Sequence, residues 1–293
     1  MRVLVTGATG FNGGHITRGL LNDGHEVFAV VRPSSDRQYL DERAHVVCYD
    51  DTSNAIFELV RAAAPDVVVH TASRFIAAHA PEDVDSLIDT NVRLGTQLLD
   101  AMMRCGVSRL VNFGTSWQHF HADSYVPVSL YAATKQAFED IAAFYVDAAG
   151  FSTVSLKLSD TYGPDDRRGK LISVLQRAAR SGELLQMSPG EQLINLAHVG
   201  DVVDAVRIAI SRTMAAPLGQ AEAFAVRGAE LLSLQEFVAT FQRATGTTVN
   251  VAWGARPYRQ REVMKPWLGE LLPGWAPKIP LELGLRELVS GNV

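Results

Sequence analysis

Glycines at positions 7, 10 and 13 follow directly on the apolar run Val3-Leu4-Val5 and lead into a helical pattern over residues 15–23. Glycine permits a tight turn and lets backbone N–H groups approach a pyrophosphate, while the start of the next helix adds partial positive charge. A glycine triplet elsewhere is an ordinary turn. Between a strand and a helix it reads as a phosphate cradle.

The same alternation continues along the chain. Further strands are expected at 27–31, 46–48, 67–69, 110–113 and 154–158, with helices at 54–64, 92–103 and 130–149. The strands are continuous apolar runs, as expected where helices cover both faces of a sheet. The fold class is therefore α/β, a Rossmann-type doubly wound parallel sheet. After Gly163-Pro164 the pattern changes to one helix at 171–181 among loops, and residues 196–211 resemble a return to the main unit. Residues 1–164 and 196–225 are thus assigned to a dinucleotide-binding domain, and 165–195 with 226–293 to a smaller, discontinuous substrate-binding lobe.

Charge and cysteine content narrow the partners. The net charge is −5 and no basic stretch stands out. That argues against a nucleic-acid partner, since phosphate neutralisation needs clustered Lys and Arg. No run of about 18 apolar residues occurs, so no membrane span is expected. With an apolar run beginning at Val3, no signal peptide is expected. Cys48 and Cys105 are read as reduced, buried filler without metal-ligand spacing, which fits a cytoplasmic protein with no metal.

Tyr131 and Lys135 stand four residues apart in a helical pattern, so both lie on one face. A nearby ammonium favours a phenolate and would bring the tyrosine toward working pH, making Tyr131 a candidate general acid. Thr115 and Ser116 follow the strand at 110–113, at the sheet edge where open α/β folds bind ligands, and can hydrogen-bond a substrate oxygen. Ser116 is preferred by position. After the second strand stands Arg32, with Ser34 and Arg37 nearby, where an acid would select NAD. Arg and Ser suit a 2′-phosphate, so NADPH is expected and NAD is less favoured.

Together these residues resemble the extended short-chain dehydrogenase/reductase family, also called the NAD-dependent epimerase/dehydratase family. The resemblance covers nearly the whole chain. It implies that residues 6–13, including Thr9, Phe11 and Asn12, form the cofactor cradle, and that Asp50 and Asp51 lie at the adenine. It places Thr71, Ala72, Ser73, Asn91 and Leu158 along the cofactor as well, and implies a homodimer formed through a four-helix bundle of residues 91–104 and 130–149. Within the family, Gly114-Thr115-Ser116-Trp117-Gln118-His119 and the segment from Leu130 to Glu139 look most similar to CDP-abequose and CDP-paratose synthases, NADPH-dependent reductases of a 4-keto deoxy sugar on a nucleotide.

That similarity implies substrate contacts from Ser116, Trp117, Gln118 and Asp160. Dehydratases of the family carry Asp-Glu where this chain has Ser116-Trp117, which argues against water elimination. Asp160 replaces a common Asn, and an Arg that often precedes His198 is missing, so phosphate binding is assigned to Arg256, Arg259 or Arg261. The leading expectation is a nucleotide-sugar 4-ketoreductase. An epimerase, a reductase of small carbonyl compounds and a non-catalytic NADP(H) sensor are the alternatives.

Overall fold

Side chains of a strand alternate between its two faces, and here both faces are covered. The computed structural model describes residues 1–38 and 40–290. In chain order its elements begin with β1 (Arg2–Thr6), α1 (Phe11–Asn22), β2 (Glu26–Val31), β3 (His45–Cys48), α2 (Ser53–Ala63) and β4 (Val67–His70). Then come α3 (Val84–Ile88), α4 (Leu94–Arg104), β5 (Arg109–Thr115), α5 (Leu130–Ala149), β6 (Ser152–Leu158), β7 (Asp160–Tyr162) and α6 (Leu171–Ser181). The chain continues through β8 (Leu185–Gln186), β9 (Leu193–Ile194), β10 (Leu196–His198), α7 (Val199–Ala215) and β11 (Gln220–Val226). It closes with β12 (Leu232–Ser233), α8 (Leu234–Thr245), β13 (Val251–Ala252) and α9 (Leu281–Ser290).

Seven strands form one parallel sheet in the order β11-β6-β5-β4-β1-β2-β3. The strand order reverses beside β1, so the crevice for a ligand opens at the carboxyl ends of β1 and β4. Val3, Val5, Val27, Ala29, Val67 and Val69 pack on Ile16 of α1 and on Val202 and Val206 of α7. Their neighbours Leu4, Phe28, Val30 and Val68 pack on Ile56 of α2, Leu98 of α4 and Phe138 of α5. A third apolar cluster joins Leu175 of α6, Phe237 and Phe241 of α8 and Leu285 of α9. It is tied to the sheet by Asp201, whose carboxylate accepts from the N–H groups of Lys278 and Ile279 at 3.0 and 3.1 Å.

Several elements differ from the sequence expectation. α1 starts at Phe11, because its glycine-rich first turn has no apolar periodicity to announce it. The helix expected at 92–103 is preceded by α3 and a π-helical turn over Asp89–Arg93. β11 escaped notice because its Ala, Gln and Glu residues lack the β-branched signature, as an edge strand tolerates. Cys48 is exposed rather than buried, since β3 is the opposite edge of the sheet and His45 and Val46 are exposed beside it. Cys105, just after α4, is partly buried. Among the described residues no helix is long and apolar enough to cross a membrane, and no group of ligating side chains could hold a metal ion.

Candidate active site

The turn after β1 has room only for glycine. Gly7 has φ +70°, and a Cβ at Gly13 would lie 2.0 Å from the Gly7 carbonyl oxygen. Gly10 precedes α1 without a side-chain cap, and the first turn of the helix carries no acid. Its N–H groups, which have no partner within a helix, are therefore left for an anion. Two adjoining cavities of about 370 and 860 Å³ open here and share Gly7, Gly10, Arg32, Thr71 and Ser73. That is the size range of small-molecule sites.

The smaller cavity is lined by Thr9, Arg32, Asp51 and Ala72, together with Ser35 and Tyr49. The larger is lined by Phe11, Asn12 and Gly13, by Thr115, Ser116 and Trp117 from the end of β5, by Tyr131 and Lys135 of α5, and by Leu158 and Asp160. Phe75, Arg74, Arg168 and Lys170 also line it and were missed from sequence. Their signal was weak: Arg74 and Phe75 merely follow Ser73, and Arg168 and Lys170 follow the Gly163-Pro164 break. The ring of Phe75 meets those of Tyr131 and Trp117 edge-on, with centroids 5.0 and 5.5 Å apart.

Other predicted residues lie elsewhere. Asp50 turns its carboxylate onto Thr52, accepting from its N–H at 3.1 Å and its hydroxyl at 2.7 Å; that turn starts α2, so Asp51 alone of the two faces the cavity. Ser34 is displaced by Ser35, whose hydroxyl accepts from the Arg32 N–H at 3.1 Å. Arg37 donates to the Cys48 sulfur at 3.3 Å. Asn91 is fully buried in the π-helical turn. Its amide oxygen accepts from the Ser73 hydroxyl and the Arg74 N–H, and its nitrogen donates to the Arg74 carbonyl and the Thr134 hydroxyl. Asn91 thus ties the loop after β4 to α5 rather than touching the cleft.

Gln118 is also fully buried, with its amide turned onto Thr115, Gln136 and Glu139, so it does not face a substrate. Of the arginine cluster, Arg259 is engaged by Glu262 at 2.9 and 3.0 Å, and Arg261 donates to the carbonyls of Pro127 and Val128. Arg256 is exposed, and none of the three is among the residues lining the cleft. Arg259 reaches its rim, with the guanidinium 5.5 Å from the Trp117 ring centroid.

Three buried polar atoms at the larger cavity, the Lys135 Nζ, the Asn12 Oδ1 and the Ser159 Oγ, have no hydrogen-bond partner among the described residues. Such orphans are costly unless a ligand meets them. A nicotinamide dinucleotide fits this set: the glycine turn and helix start would hold its pyrophosphate, and Lys135 a ribose hydroxyl. Burial pulls the Lys135 ammonium down to about 8, with Glu139 opposing the fall. Burial pushes Tyr131 up to about 12, against hydrogen bonding from Ser73 and Thr115. The expected lowering of Tyr131 by Lys135 is therefore not met. Desolvation dominates, Lys135 is not among the groups that act on the phenol, and the phenol keeps its proton across the neutral range.

Known proteins are similar to this chain in sequence and fold. Residues 3–221 match the NAD dependent epimerase/dehydratase family. CDP-abequose synthase of Yersinia pseudotuberculosis is 25% identical over 276 residues, covering 91% of this chain and 92% of that protein. The solved structure of MoeE5 in complex with UDP-glucose and NAD superposes with a TM-score of 0.84 at 25% identity, over 99% of this chain and 98% of that one. The UDP-glucose 4-epimerase of Thermus thermophilus, solved in complex with NAD, gives a TM-score of 0.83 at 24% identity over the full length of both chains. With its glycine turn, its parallel sheet and a Tyr-Lys pair at the cleft, the chain belongs to the NAD-dependent epimerase/dehydratase family of extended short-chain dehydrogenases/reductases.

Proposed function

We propose that this chain is an NADPH-dependent reductase of a 4-keto group on a nucleotide-linked deoxy sugar. The observation that carries the reading is the meeting of Thr115, Ser116, Tyr131 and Lys135 in one cleft with the glycine cradle, Tyr131 holding its proton. A bound nicotinamide supplies the hydride. Ser116, with Thr115 beside it, orients the substrate carbonyl by hydrogen bonding. Tyr131 donates its phenolic proton to the oxygen as alkoxide character develops, and the Lys135 ammonium supports the phenolate that remains. Arg74, Arg168 and Lys170, which line the cleft, replace the Arg256–Arg261 cluster as candidate cations for a substrate diphosphate. The similarity to CDP-abequose synthase supports a nucleotide sugar as substrate. A homodimer through α4 and α5 belongs to this reading, with Met103 and Phe144 exposed on those helices.

A thermal-shift series with CDP, UDP, dTDP and GDP, each with and without NADPH, tests the substrate class. A ligand at one hundred times its dissociation constant stabilises by about 2.7 kcal/mol. At least one diphosphate is expected to add to the NADPH shift. No shift from any of the four would remove the nucleotide-sugar reading.

The preference for NADPH rests on Arg32, which follows β2 directly and lines both cavities. Arg32→Asp removes a charge-assisted hydrogen bond worth roughly 1.5–3 kcal/mol and adds a repelling anion. The ratio of NADPH to NADH affinity, measured by fluorescence titration, is expected to fall about tenfold or more. An unchanged ratio would favour the second reading, an epimerase that retains NAD. Asp51 in the smaller cavity suits that alternative, because an acid pairs with an unphosphorylated ribose.

A further inference from the structure

Behind the catalytic cleft lies a buried charged cluster to which the proposed reaction gives no role. Glu139 follows Lys135 by one helical turn and Tyr131 by two, so α5 carries all three in one row. Its carboxylate accepts from the Gln118 side-chain nitrogen at 3.0 Å and pairs with the Lys157 ammonium of β6 at 3.6 Å. Lys157 in turn lies 3.0 Å from the His119 Nε2. The His119 Nδ1 faces the Ser124 carbonyl at 3.1 Å, so its proton sits on Nδ1 and Nε2 accepts from the lysine.

We propose that Glu139 is a positioning residue that, through Gln118, holds the Thr115–Ser116 turn in register with Tyr131 and Lys135. The relay is short. Glu139 fixes the Gln118 nitrogen, and the Gln118 oxygen accepts from the Thr115 backbone N–H at 2.9 Å. Gln136 of α5 accepts a second bond from the same nitrogen at 2.7 Å, which sets the orientation of the amide. Thr115 ends β5 and Ser116 follows it, so one side-chain amide sets the height of both hydroxyls above the helix.

The backbone is shaped for this contact. A Cβ at Gly114 would lie 2.7 Å from the Glu139 Oε1 and 2.8 Å from the Gln118 Oε1, so only glycine lets the carboxylate reach the strand. Burial raises the Glu139 carboxyl, and Lys157, Gln118 and Lys135 hold it down. Burying a carboxylate is costly where apolar packing would serve. A cluster of this cost beside the reacting groups fits a demand for geometry. The inference rests on the reductase reading only for its kinetic consequence.

Glu139→Leu removes the acceptor, Glu139→Gln keeps it without charge, and Gln118→Met breaks the relay without touching a charge. Hydrogen exchange at the Thr115 amide reads the relay without a substrate. It is expected to quicken tenfold or more in Glu139→Leu and Gln118→Met, and to stay within about threefold of the parent in Glu139→Gln. With a nucleotide-linked 4-keto-3,6-dideoxyhexose, kcat should fall at least tenfold in Glu139→Leu and Gln118→Met. KM and NADPH affinity should stay within about threefold, and the double variant should be no worse than either single one.

Parental exchange at Thr115 in Gln118→Met would overturn the proposal. So would a Glu139→Gln protein as impaired as Glu139→Leu, because the charge and not the bond would then be the cause. If Glu139→Leu fails to fold, Gln118→Met decides alone. If the parent reduces no such sugar, the reductase reading falls while the exchange data still decide the relay.

Discussion

Tyr131→Phe is expected to keep NADPH affinity near the parent value and to lose about 100- to 10,000-fold in turnover, the usual contribution of a positioned proton donor. The ring packs edge-on against Phe75, and phenylalanine keeps that contact. What it loses is the hydroxyl, which burial holds in its protonated form up to about pH 12. A ketone that accepts hydride becomes an alkoxide too basic to persist near neutral pH, so without the phenol the barrier carries that cost. Stopped-flow NADPH oxidation beside fluorescence titration separates chemistry from binding. Turnover within a few-fold of the parent would mean that the proton comes from another group.

Lys135→Met is expected to act in opposite directions on activity and on stability. Lys135 is only 1% exposed, its Nζ has no hydrogen-bond partner among the described residues, and burial holds it down at about 8 against a normal 10.5. Below pH 8 the folded protein therefore carries a desolvated ammonium, and that cost is fully present. As pH rises through 8 toward 10.5, the group deprotonates in the folded state before it does in the unfolded chain, and the cost fades. At 1.36 kcal/mol per pKa unit the penalty is about 3 kcal/mol. Methionine fills the same channel without charge. The variant should melt several degrees higher than the parent at pH 7, with the gap closing by pH 10, while turnover falls tenfold or more and cofactor binding weakens. A variant that melts lower than the parent at pH 7 would show that the ammonium is satisfied in the free protein.

The parts of this molecule legible in its sequence are those where one physical demand dominates. Gly7 and Gly13 have no space for a Cβ, and a helix places Tyr131 and Lys135 together by spacing alone, so both features could be read directly. α5 and α6 fell where their apolar periodicity put them, Leu130–Ala149 and Leu171–Ser181. Assignments that depended on where a flexible or amide side chain turns went astray. Asp50, Arg37 and Gln118 stand beside the cleft in sequence, yet each has a nearer partner in Thr52, Cys48 or Thr115. The arginines at 256, 259 and 261 misled for a related reason: a run of charge says nothing of the carboxylates and carbonyls that the fold brings to meet it.

Asn91 has a consequence for how such an enzyme can diversify. Its amide spans the loop of Ser73 and Arg74 and the Thr134 hydroxyl, and that hydroxyl donates to the Tyr131 carbonyl at 2.8 Å. The loop beside the cleft and the turn bearing Tyr131 are therefore tied to each other. A change that shifts either one strains the other, so this part of the cleft resists adaptation. Arg168 and Lys170 stand instead on a surface loop, the first held by Asp166 and Thr161 and the second by Asp160. Laboratory selection for a new sugar or a new base should therefore accumulate its first changes in residues 165–170 and spare residues 71–75 and 131–135, even though all three segments border the same space.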